Sequence, residues 1–155
     1  MVSTFSVRQR DKMKPSDDNP LTRPGPAHPD ITDPDIAKLV ATFYARARED
    51  DVLGPVFNRA VHDWDEHIAQ ITDFWSSIML RTGRYSGRPL NPHLRLPIEA
   101  EHFDRWLALF EQTATEIFSA EITHEFMIRA RRIADNFELA IGSMRGEIRS
   151  PRHAR

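Results

Sequence analysis

Four stretches of this chain repeat apolar side chains every three to four residues, and no stretch alternates them every two. That period marks one face of a helix, whereas alternation marks a half-buried strand. Ile36, Val40, Phe43, Tyr44 and Ala47 form the first stripe, and Trp64, His67, Ile68, Ile71, Phe74, Trp75 and Ile78 the second. Phe103, Trp106, Leu107, Phe110, Ala114 and Ile117 make the third, followed by Phe126, Ala130, Ile133, Ala134, Phe137 and Ile141. The pattern predicts an all-α domain of four principal helices plus short pieces, packed around a single core. Asp33 with Pro34 reads as the start of the first helix, and Asp63 with Glu66 as a capping box opening the second.

Between these segments the chain is punctuated by proline and glycine. Residues 1–31 concentrate Pro, Asp and Gly with little to bury, so a mobile tail is expected there. The folded domain is expected over 32–144, and the polar, basic residues 145–155 as a frayed end. The most unusual connection is SGRPLNPHLRLP, Ser86 to Pro97. Pro89, Pro92 and Pro97 oppose ordinary helix over most of it, since each lacks an N–H and restricts the residue before it. It nonetheless presents one imidazole, His93.

Composition narrows the chemistry. With 155 residues and a formal net charge of −2, nothing argues for nucleic acid or an anionic membrane as partner. Absence of cysteine excludes disulfides, thiolate metal sites, iron–sulfur clusters and thioether-linked haem. No apolar run approaches the roughly 20 residues that span a bilayer. The first 20 residues lack an apolar signal core, so a cytoplasmic location is expected. There is no Gly-rich phosphate loop, no G-x-S-x-G and no H-E-x-x-H. His62 and His67 are five apart and do not share a helix face, which disfavours zinc.

Of the seven histidines, His28 and His153 fall in the tails, His62 precedes a helix, and His102 and His124 sit near helix starts, where polar surface positions are natural. Taken singly, His67 reads as a partly buried, hydrogen-bonded residue and His93 as a surface one. Taken jointly with Tyr44 and Trp106 they admit haem. Iron would need an imidazole from one side, apolar walls around the porphyrin, and polar donors opposite for a diatomic ligand. A haem-free helical module that binds a protein through its apolar stripes is the alternative from another class.

Five blocks in order then carry a resemblance: TFYARAREDDVLGPVF, with its F-Y and L-G-P-x-F; WDEHIAQITDFW; GRYSGRPLNPHLRLP; and HFDRWLALFEQT. Together they resemble the truncated haemoglobins of group III, over about Ile36 to Gly142. The resemblance implies a shortened globin fold, a two-over-two helical sandwich holding haem b non-covalently. It implies His93 as proximal iron ligand, and Tyr44, His67 and Trp106 as distal residues that stabilise the bound ligand. It implies Phe57 against the porphyrin, with Ile71, Phe74 and Trp75 on the pocket-facing stripe. Arg84, Tyr85 and Arg95 flank the proximal loop and are candidates for the haem propionates. The expected partners are O2, NO, CO or other small ligands and a reductase of unknown identity. Two distal donors would slow ligand release, favouring nitric oxide dioxygenation or peroxide handling over bulk transport.

Overall fold

The computed structural model describes residues 25–149, and all regular structure among them is helical. In chain order there are six helices: α1 (Asp33–Ala47), α2 (Gly54–Ala60), α3 (Trp64–Leu80), α4 (Leu90–His93), α5 (Ala100–Ile117) and α6 (Ala120–Met144). Four are the expected long ones. The two short ones, α2 and α4, lie in the connections. α1 packs on α3 and on α5, and α5 packs on α6, which gives the two-over-two sandwich.

The helix ends correct two details of the sequence reading. Thr32, not Asp33, caps α1, its side chain accepting from the Asp35 N–H. That leaves the Asp33 carboxylate free for tertiary work: it accepts from Ser76 Oγ at 2.8 Å and pairs with Arg84. Asp63 caps α3 as expected, accepting from the Glu66 N–H at 3.1 Å. Glu66 instead takes a bond from Gln70 along the helix. Arg81 closes α3 in the left-handed conformation, at φ 61°, and Ser119 caps α6.

The core is largely aromatic. Phe110 of α5 lies between Trp75 and Trp106, stacked on each with ring centroids 5.1 Å apart. Phe43 meets Phe110 edge-on at 5.5 Å. Such pairs add about 0.5–1.5 kcal/mol each beyond the area they bury. Ile36, Leu39, Val40, Met79, Phe126 and Met127 belong to the same cluster, and Ile98, Phe103, Ala134 and Ile141 form a second one.

Residues 25–31, expected as the end of the tail, lie against the domain. The Ala27 N–H donates to the Met79 carbonyl at 2.8 Å, Ile31 is buried, and His28 Nε2 approaches Glu121 at 3.5 Å. Residues 1–24 of that tail lie outside the described residues, as do 150–155. Arg145, expected to be frayed, donates to Glu99 at 2.7 Å and to the Leu96 carbonyl at 3.0 Å.

An apolar cavity with His93 on its wall

A cavity of about 120 Å³ opens between the helices. Its wall is mostly apolar, with Leu53, Val56, Phe57, Ile71, Phe74 and Trp75 together with Leu96, Ile98, Phe103, Ile133, Ala134 and Phe137. The polar side chains that reach the wall are those of Tyr44, Tyr85, His93, His102 and Trp106. Eight of the eleven site residues expected from the sequence therefore meet here: Tyr44, Phe57, Ile71, Phe74, Trp75, Tyr85, His93 and Trp106.

His93 arrives on α4, a single turn within the proline-rich loop. Pro92 is tolerated there because it occupies the first turn, where its missing N–H has no partner within the helix anyway. Nδ1 of His93 lies 2.5 Å from the carbonyl oxygen of Pro89. A carbonyl only accepts, so Nδ1 carries the proton and Nε2 keeps a free lone pair. Phe137 of α6 packs against the ring at 4.8 Å. Burial lowers the His93 pKa below the ordinary imidazole value, and the Pro89 bond partly opposes this.

Tyr44 and Phe57 on the wall belong to an aromatic group from α1, α2 and α3. Tyr44 meets Phe57 edge-on at 5.5 Å and His67 edge-on at 5.4 Å. Trp64 closes the group from outside, 5.7 Å from His67, and Arg48 covers its face at 4.4 Å. Burial raises the Tyr44 pKa far above the usual phenol value, so Tyr44 is a neutral O–H donor. His67 does not reach the wall itself. Its Nε2 is buried with no hydrogen-bond partner among the described residues. Burial, and then the charge His93 would carry, lower its pKa. An orphaned ring nitrogen of this kind is uncommon enough to call for a partner.

The helix connections fix this wall. Asp50, in the turn after α1, accepts from the N–H groups of Val52 and Leu53 and from Arg105 of α5 at 2.7 Å. Gly54, the glycine of L-G-P-x-F, begins α2 so close to α1 that a Cβ there would lie 2.7 Å from the Arg48 carbonyl oxygen.

Two expected residues are placed elsewhere. Arg84 turns to Asp33, Ser76 and Asp73, binding the end of α3 to the start of α1. Arg95 is exposed and forms no part of the wall. Sequence reasoning missed His102 and Phe137 as wall residues. His102 was placed on the surface by its position near a helix start. Phe137 was visible only as one more core residue of the fourth stripe. Among the described residues no three His, Asp or Glu side chains gather as a metal set, and no helix is long and apolar enough to cross a membrane.

The comparisons agree with this geometry. The bacterial-like globin family matches residues 32–138. A group 3 truncated haemoglobin of Campylobacter jejuni is 40% identical over 113 residues, which span 70% of this chain and 89% of the relative. The crystal structure of the group III truncated haemoglobin from Campylobacter jejuni superposes with a TM-score of 0.69 at 39% identity, covering 74% of this chain and 94% of that one. With the helical sandwich and a cavity walled by Tyr44, Trp106 and His93 already in place, the chain belongs to the bacterial-like globins, as a haem-binding truncated haemoglobin of the third group.

Proposed function

We propose that the protein holds haem b non-covalently in this cavity, with His93 as the proximal iron ligand and Tyr44, Trp106 and His67 on the distal side. The observation that carries the reading is the pairing of an unprotonated His93 Nε2 with a cavity otherwise walled by apolar and aromatic groups. Zinc or a hydrolytic site would need several polar ligands converging, whereas haem needs one imidazole and apolar walls. The orphaned Nε2 of His67 fits the same group, since the nitrogen lacks a partner that a ligand near Tyr44 would supply.

Haem supplies an iron centre that binds O2, NO or CO and exchanges electrons. The chain's own residues do the rest. The Pro89 carbonyl orients the His93 ring and increases its basicity. Tyr44 O–H and Trp106 N–H donate to a ligand carrying partial negative charge, each at about 1 kcal/mol or more, so release slows about tenfold or more. The aromatic side chains of Phe57 and Tyr44 on the wall keep bulk water from the distal side.

Slow release suits chemistry on the ligand better than bulk transport. Nitric oxide dioxygenation, with electrons from a reductase, and peroxide handling both fit that kinetic behaviour. The test is the absorption spectrum after reconstitution with haemin, in ferric, ferrous and CO-bound forms. A Soret band altered in His93→Ala supports the assignment. No band leaves the haem-free interaction module as the better reading, and an identical band in that variant removes His93 as the iron ligand.

A further inference from the structure

The porphyrin of haem b carries two carboxylates, and an apolar cavity must offer them a polar partner at its edge. The arginines expected for this task do not line the cavity: Arg84 is engaged by Asp33 and Asp73, and Arg95 stands outside the wall. Of the five polar wall residues, Tyr44, Trp106 and His93 already have roles. Tyr85 and His102 remain.

His102 sits in the first turn of α5 with its donor already fixed. The Glu99 backbone N–H donates to its Nδ1 at 2.9 Å. That is the part Glu or Gln usually plays at this position of a capping box. With Nδ1 accepting, the neutral ring carries its proton on Nε2. The usual acid would place a negative charge on the cavity wall. Histidine performs the same capping with Nδ1 and keeps Nε2 as a donor on a residue of the wall. Glu99 does not compete for that N–H through its carboxylate, which is paired with Arg145 and Arg149.

We infer that His102 is a cofactor-binding residue, donating from Nε2 to a carboxylate of the haem while its Nδ1 caps α5. The inference rests on the haem reading above. It assigns to α5 a grip on the cofactor that the sequence placed on the proximal loop. It also gives a reason for a histidine where a helix start would ordinarily carry an acid.

The test compares His102→Glu and His102→Gln with the unaltered chain, each loaded with haemin. Both substitutions keep an acceptor for the Glu99 N–H, and circular dichroism of the haem-free chains should show equal helicity. Gln keeps a donor for the carboxylate, whereas Glu sets a like charge against it. Haemin transfer to an excess of a haem-free acceptor protein should be about tenfold faster or more from His102→Glu, the equivalent of losing one charge-assisted hydrogen bond. Transfer from His102→Gln should stay within about threefold of the unaltered chain.

With haemin dimethyl ester, which lacks the charged carboxylates, the Glu and Gln variants should lose the ligand at equal rates. Equal rates with ordinary haemin overturn the inference, and so does an equally large difference with the ester. A Soret band in the unaltered chain establishes haem binding first, so a null result in the variants removes His102 alone. Its absence would remove both readings.

Discussion

Nδ1 of His93 lies 2.5 Å from the carbonyl oxygen of Pro89, four residues earlier in the same proline-rich loop. A proline there cannot donate a backbone hydrogen bond, but its carbonyl is available to fix an imidazole. The bond decides the tautomer and leaves the other nitrogen with a free lone pair. Replacing His93 by Gly should abolish the native haem spectrum. Adding imidazole to that variant should restore it, read as recovery of the ferrous and CO-bound bands.

Both His67 and His93 have pKa values lowered from 6.5, chiefly by burial. The sign follows directly. The unfolded chain takes up protons near pH 6.5 while the folded chain resists them, so unfolding gains as pH falls below that value. The haem-free protein should therefore be fully stable above about pH 6.5 and weaken below it, by at most about 1.4 kcal/mol per pH unit for each histidine. Urea titrations between pH 7.5 and 5 measure this. A slope unchanged in His67→Gln would show that His67 does not contribute.

Tyr44→Phe and Trp106→Phe each remove one donor at the wall while keeping an aromatic ring. Each should speed O2 dissociation about fivefold or more, from about 1 kcal/mol per bond, and the double variant more than either. Stopped-flow displacement by CO reads the rates. If both single variants release O2 at the original rate, the hydrogen-bonding account of the distal side is wrong.

Asp50 joins the turn after α1 to α5, with its side chain only 8% exposed. The Arg105 guanidinium holds its carboxyl below the usual range. Asp50→Ala should cost about 1–3 kcal/mol, because the Val52 and Leu53 N–H groups lose their acceptor. The depressed pKa gives the wild-type pair its stabilisation above the ordinary carboxylate value, lost in stronger acid. The variant should lack that acid-side component in the same urea titrations.

Gly54→Ala should destabilise by about 1–3 kcal/mol, since its Cβ would press on the Arg48 carbonyl and that backbone cannot yield cheaply. Thermal unfolding measures the loss. A change below about 0.5 kcal/mol would mean that α1 and α2 separate more easily than their packing suggests.

The four apolar stripes determined the helical class and the long helices, because period 3.6 leaves only one face to bury. The ordered blocks from F-Y to W-L-A-L-F identified the family. Gly54 was legible as part of a motif, but only the approach of α2 to the Arg48 carbonyl explains it. The tertiary structure decided whatever depends on which groups compete for one partner. Thr32 took the cap of α1 and released Asp33 to hold Arg84, removing that arginine from the expected propionate site. His102 reads as a surface polar residue along the chain. It becomes part of the cavity wall only when the helices pack around that space and its Nδ1 turns back to Glu99. Periodicity carries the burial of a face, a local property. Partner choice among polar side chains is settled by distances between segments far apart in sequence, which no spacing along the chain encodes.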